Sequence, residues 1–563
     1  MRRFGRFGII LAASISLLAA ACGGSSSNNS SASSNSNSGS TSAKGTVTIS
    51  NESGSLWTCN FNPFNGSYAF LSQGFVYEPL VYINPLQNGK ATPLLATSWK
   101  WAAGNKSITF TIRKGVKFNN GSPMTPADVV YSFDLMKKNS AMDLTGVWSV
   151  LSSVTQTGSD QVTMAFKQTA VPYFYYIADQ VPIVPKAVWS KIANPVANPD
   201  SHPVGTGPFM VNPCTSANIT YTANPHYWQP GKPHIAKIQY PAFTSNNTAN
   251  DQLATGQAQW GSQYIPAIKT FYTDKNPNFH YWFPPTVAVS LIPNLTNPLL
   301  SNVKVRQAMS YAIDRQKVSS IGESGYEPPA NQADVTTPTF NSWLDGSLTS
   351  KYNYSYNPAK AKQVLASAGF KPGAGGIMAN SKGQKLSFSV INIGDFSDWV
   401  ASMQVIQQNL KAVGIQITPN NLSSTDFQAA LFSGKYQLAY NDQQTFGPGP
   451  YYELRSWLDS ANTAPIGKTA ATNWERYSNK TTDNLIHEYA TTTSTSEQHA
   501  VISKLEQVML TQVPVIPVVE AVDWFQYDTS NLTGWPTPSN PYAQPAAYAY
   551  PDMEQVLLNL QGK

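Results

Sequence analysis

Between Leu80 and Phe133 the chain reads LVYINPLQNGKATPLLATSWKWAAGNKSITFTIRKGVKFNNGSPMTPADVVYSF, and no other stretch limits the fold as tightly. Ile108, Phe110 and Ile112 alternate with Thr109 and Thr111, the period of a strand with one buried face. Asn119-Asn120-Gly121 supplies a turn in which glycine takes a positive φ at little cost. Thr125 then opens a helix, with Pro126 at its first position and Asp128 in its first turn. Val129, Val130 and Phe133 give that helix an apolar side. Strand, turn and helix in this order predict an α/β chain.

At 563 residues the chain is too long for one hydrophobic core and is expected to form two or three domains. Hydrophobic residues make up 41%, enough for folded cores, whereas charged residues make up only 12%, about half the usual share. Asn, Gln, Ser and Thr fill the polar surface instead. Such a surface excludes a nucleic-acid binder, which needs dense Lys and Arg. The formal charge of +6 falls to +3 without Arg2, Arg3 and Arg6 and points to no particular partner.

Residues 1–21 read as a targeting segment. Arg2, Arg3 and Arg6 precede an apolar run from Phe7 to Ala21 that is short for a bilayer span. The run ends Ala19-Ala20-Ala21-Cys22-Gly23-Gly24. Small residues before a single Cys resemble a bacterial lipoprotein cleavage box, although Ala19 stands where such boxes usually carry Leu. The resemblance implies a lipid on Cys22 and anchoring on the outer face of the cytoplasmic membrane. Residues 22–44 are almost entirely Gly, Ser, Asn, Thr and Ala, a composition that buries no core and is expected to act as a tether of about 25 Å.

The organising stretch also carries a resemblance. Its "P-x-LA-x-SW", hydrophobic strand and "R-K-G-V-K-F-x-x-G-x-P-x-T-x-x-D-V-V-Y-S-F" are similar to solute-binding family 5, extracytoplasmic receptors of ABC importers for peptides, nickel and related solutes. Further matches follow in order: VGTGPFM at Val204–Met210, the Asn224-Pro225-His226-Tyr227-Trp228 and Gly231-Lys232-Pro233 run, and VKVRQAMSYAIDR at Val303–Arg315. Asn357-Pro358 to Gly369-Phe370 and the PVIPVV run complete the series. Val305, Ala308, Met309 and Ala312 share one helical face, and Arg306, Asp314 and Arg315 are expected to form structural ion pairs. Asn357 is expected to cap a helix begun by Pro358 and ended by Gly369. Leu386, Phe388 and Val390 predict a strand, Ala401–Leu410 an amphipathic helix, and Val413–Ile417 the next strand.

No catalytic or metal motif offers a competing function. The six histidines have no helical metal spacing, and CxxC, HExxH, GxSxG and phosphate-binding glycine loops are missing from the sequence. The acidic pair in Gly394-Asp395-Phe396-Ser397-Asp398 reads as a solvated loop. With Cys22 assigned to lipid, Cys59 and Cys214 form an even pair in an exported chain, which suggests a disulfide. The family fold would place both in one lobe.

The resemblance implies a two-lobed periplasmic-binding-protein-like α/β fold of class II type, not an enzyme, with no cofactor and no metal. Lobe I is expected at 45–78, 201–284 and 523–563, with a subdomain at 79–200 inserted in it, and lobe II at 285–522. Two crossings near Pro284–Val287 and Val519–Trp524 form the hinge, and ligand binds between the lobes. A membrane permease with its ATPases reads the closed form, and the receptor is expected to be a monomer that binds no nucleic acid. Peptide is the first expected ligand, a neutral oligosaccharide or other uncharged solute the alternative, an exported hydrolase a third reading. Ser67 and Tyr68, in a loop that resembles one lining the cleft of peptide-binding relatives, are candidate contacts. Trp148, Phe283 and Trp524 offer stacking faces, and Glu520 lies in the second crossing. In relatives a lobe II carboxylate pairs with the peptide amino group. Matching Pro450 to the motif puts that position at Phe446, which leaves Asp442 as the available acid beside Asn441, Gln443 and Gln444.

Overall fold

The computed structural model describes residues 44–51, 56–443 and 446–563. Cys22 and Gln444 lie outside them. Three sheets organise this body. The first has seven strands, in the order Phe279–Tyr281, Gln526–Asp528, Trp260–Gly261, Thr46–Ser50, Lys237–Pro241, Asn218–Ala223 and Phe209–Cys214. Its central strand, Thr46–Ser50, is parallel to both neighbours and buries Val47 and Ile49 completely. The second has five strands, ordered Gln416–Leu422, Ser387–Ile393, Leu438–Asp442, Pro285–Pro293 and Ile516–Val522. The third is an antiparallel four-stranded sheet between residues 96 and 166. Among the described residues no helix is long and apolar enough to cross a membrane.

The organising stretch folds as its pattern dictates. Ile108, Phe110 and Ile112 are buried in the strand Ser107–Ile112, and Gly121 turns at φ +84°. The helix Pro126–Lys138 is closed at its start by Asp128, whose carboxylate accepts from the Thr125 amide at 2.8 Å and the Thr125 hydroxyl at 2.9 Å. Asn357 likewise accepts from the Lys360 amide at 2.9 Å at the head of Pro358–Ser367, and Gly369 follows at φ +85°.

Three expectations need correction. Among the described residues Arg306 makes no ion pair: it donates to the carbonyls of Val513, Leu300 and Gln512 at 2.6–2.7 Å. Arg315 donates to the carbonyl of Pro517 at 2.7 Å and to Gln332 at 3.0 Å, and Asp314 caps the short helix Arg315–Lys317. A buried guanidinium can be satisfied by several carbonyl dipoles with no counter-charge, and the ends of neighbouring elements supply them here. The strand expected at Val413–Ile417 starts only at Gln416. Gly414 takes φ +84°, and the Ile415 amide returns to the Leu410 carbonyl at 3.0 Å, ending the preceding helix first. Asp398 is not in a solvated loop. It lies in the first turn of the helix Ser397–Ala412 and is buried, because that turn faces the five-stranded sheet.

Two neighbouring runs of chain join the first two sheets. Tyr281 pairs with Gln526, the Trp282 amide donates to Phe525, the Asp523 amide donates to Pro284, and Pro285 pairs with Val522. One antiparallel ribbon therefore leaves the seven-stranded sheet and enters the five-stranded one. Far from it, the sulfurs of Cys59 and Cys214 are bonded.

Candidate functional site

Beside that ribbon lies a cavity of about 260 Å³. The strands Ser387–Ile393 and Leu438–Asp442 run parallel, and Ile516–Val522 points the same way because Pro285–Pro293 is antiparallel to its neighbours on both sides. The carboxyl ends of these three strands present Ile393, Asn441, Asp442 and Val522 to the cavity. Asn51 and Ser262, just beyond strands of the other sheet, face it from the opposite wall. Carboxyl ends of strands are where α/β folds place ligands.

The two walls touch around the cavity. Asn246 Nδ2 donates to Ser397 Oγ at 3.3 Å, and Ser67 Oγ donates to Gln428 Oε1 at 3.1 Å. Aromatic rings line the floor. Trp524 packs edge-on against Tyr264 at 5.5 Å and Phe283 at 4.9 Å, and Trp399 meets Phe396 at 5.2 Å. Four carboxylates also line the cavity: Glu327, Asp398, Asp442 and Asp523. Burial pushes all four up, to about 6 for Asp442 and about 8 for Asp523, and the charges of Glu323, Asp398 and Asp442 push Glu327 further. Among the described residues, no Lys, Arg or His lines the cavity.

The candidates from the sequence separate into two groups. Asn441, Asp442 and Trp524 line the cavity, Phe283 buttresses Trp524, and Ser67 reaches the lining residue Gln428. Others sit elsewhere. Trp148 donates its indole N–H to Phe133 at 2.8 Å under Lys137, next to the four-stranded sheet. Phe446 packs on Phe340, and its carbonyl accepts from Tyr175. Glu520 is buried against Thr337, while Tyr68 packs on the core beside its own loop and Gln443 is buried next to Asp442. Sequence reasoning missed Glu327, Asp398, Asp523, Tyr264 and Trp399 as cavity residues.

Known proteins resemble this chain along most of its length. Residues 90–465 match the model of the bacterial extracellular solute-binding proteins, family 5. The glutathione-binding protein GsiB of Salmonella choleraesuis is 25% identical over 462 residues, 79% of this chain and 83% of its own. The oligopeptide-binding protein of a Thermotoga maritima ABC transporter, solved with mannohexaose bound, superposes with a TM-score of 0.86 at 25% identity, covering 92% of this chain and 98% of that one. The oligopeptide-binding protein AppA of Bacillus subtilis, solved with a nonapeptide, shares the fold at a TM-score of 0.78 and 21% identity, over 92% and 99% of the chains. These relatives bind solutes and are not enzymes. With two lobes meeting at a lined cleft and more than half its length matched, this chain belongs to the bacterial extracellular solute-binding proteins of family 5, the exported receptors of ABC importers.

Proposed function

We propose that this chain is the lipid-anchored receptor of an ABC importer that captures a peptide between its lobes and hands it to a membrane permease. The observation carrying this reading is the cavity at the meeting of two walls, bridged by Asn246–Ser397 and Ser67–Gln428 and flanked by a single crossing ribbon. Such a ribbon lets the walls part by bending at residues 282–285 and 522–525. Ligand contacts made only when the walls meet stabilise the closed form. We divide the body accordingly: lobe I is 45–78, 201–284 and 523–563, the inserted subdomain is 79–200, and lobe II is 285–522. Because no Lys, Arg or His among the described residues lines the cavity, a peptide's terminal carboxylate must stay outside it. A neutral oligosaccharide is the second reading. The faces of Trp524 and Trp399 beside Asn51, Asn246 and Gln428 favour it, as does the mannohexaose held by the Thermotoga maritima relative.

Calorimetry with a di- to hexapeptide pool against an oligosaccharide panel tests both readings, and failure of every solute to bind overturns them. For the anchor, Cys22→Ala should release the exported protein into the medium; a variant that stays with the membrane counts against lipidation.

A further inference from the structure

The carboxylates of the cavity are not accounted for by capture of a neutral ligand. Glu327, Asp398 and Asp442 come from one wall and Asp523 from the crossing ribbon, with no cation beside them among the described lining residues. Two of them are short of partners. Asp398 is 4% exposed and its Oδ1 accepts no hydrogen bond, and Glu327 is 2% exposed with Oε2 in the same state. Both side chains line the cavity. A buried carboxylate oxygen without a donor is unfavourable unless a ligand supplies one.

The type of donor follows from the arrangement. Among the described residues no three His, Cys, Asp or Glu side chains converge closely enough to hold a metal ion. The negative charge is thus spread along the cavity, and a point cation would reach only part of it. A hydroxyl donates a hydrogen bond but leaves the charge standing, whereas an ammonium group does both jobs. The position matched to the amino-group partner of peptide-binding relatives is Phe446, which packs on Phe340; Asp442 is the acid the sequence offers in its place, and Glu327, Asp398 and Asp523 are additional to it.

We propose that the cavity selects an organic ligand that carries more than one ammonium group and turns no carboxylate toward its walls. This inference rests on the receptor reading above and narrows its ligand. Polyamines and lysine-rich peptides share the chemistry. The upward shift of the four acids fits it too, since burial makes their negative charge costly and ammonium groups at the lining offset that cost.

The test is calorimetry on the mature full-length protein with four probes: acetyl-trilysine amide, the same peptide with its side chains acetylated, spermine, and mannohexaose. The trilysine probe should bind at least tenfold tighter than its acetylated twin, which keeps the backbone and lacks the side-chain charges. Binding of spermine alone assigns the ligand to polyamines, and binding of trilysine alone assigns it to peptides. Asp398→Asn should weaken the charged probe about fivefold or more and leave the acetylated one unchanged. Equal or tighter binding of the acetylated peptide, or binding of mannohexaose with neither amine, overturns the charge inference while leaving the receptor reading intact. If no probe binds, the charge inference falls, and the wider solute panel decides the receptor reading separately.

Discussion

The cavity acids have a counterpart in another set of buried carboxylates, and the two sets are treated differently. Asp179 accepts from the Ile83 amide at 2.7 Å and from Gln180 Nε2 at 2.6 Å. Asp552 accepts from the Tyr82 hydroxyl at 2.6 Å and the Gln544 amide at 2.9 Å. Glu78 takes the Trp228 indole N–H at 2.9 Å, with the Tyr227 hydroxyl at 3.1 Å. These oxygens join the helix Tyr173–Asp179, the helix Asp552–Asn559 and the strand Val81–Asn84 into one block. Asp398 and Glu327 each keep an oxygen that joins nothing. Burial raises the proton affinity of both sets, so titration alone does not tell structure from function. Nor does a donorless oxygen by itself, since Glu475 and Glu554 keep such oxygens away from the cavity. The donorless oxygen on a cavity-lining acid is what marks Asp398 and Glu327. Asp523 stands between the two, because the Gln544 side chain donates to it at 3.2 Å while the Gln544 backbone amide bonds to Asp552.

The sharpest way to break the contrast is Asp552→Ala. It strands the Gln544 amide and leaves the Tyr82 hydroxyl only the Tyr542 carbonyl at 3.1 Å, and should cost about 2–5 kcal/mol of stability in urea unfolding. A loss below about 1 kcal/mol would show that the donors of the structural set are not needed. A second measurement concerns Asp523, whose carboxyl sits at about 8 when folded against an ordinary 3.8. Between those values the folded chain holds a proton that the unfolded chain releases. Its contribution is therefore complete in acid and is lost as pH rises from about 4 through 8. Wild-type stability should fall with pH between 5 and 7 more steeply than that of Asp523→Asn, by up to about 1.4 kcal/mol per pH unit. Parallel slopes would remove Asp523 from the account. The smallest effect is expected for Asp398→Asn, which gives up an unpaired charge and should change stability by less than about 1 kcal/mol in either direction. A loss as large as that of Asp552→Ala would place Asp398 in the structural set.

Much of the fold was legible because its determinants are local. The capping box of Thr125 and Asp128, the Asn357-Pro358 helix start and the alternation of Ile108, Phe110 and Ile112 each act within a few residues. The family motifs extended that reading to the two-lobed plan. The site was less legible because its acids come from four separate stretches and disturb no periodicity. Asp398 occupies the first turn of a helix, where an acid is expected from the helix dipole alone. Asp523 follows the apolar strand Ile516–Val522 and reads as its polar end. Arg306 was misjudged for a related reason: charge implies a partner of opposite sign only when no backbone carbonyl is within reach.

The bond between Cys59 and Cys214 spans a sequence separation of 155 and has a topological consequence. The whole four-stranded sheet lies between the two cysteines, so it is strung on a closed covalent loop. One peptide-bond cut anywhere on that loop opens it without detaching either piece. A receptor facing proteases outside the cell can thus be nicked between Cys59 and Cys214 and still remain one molecule.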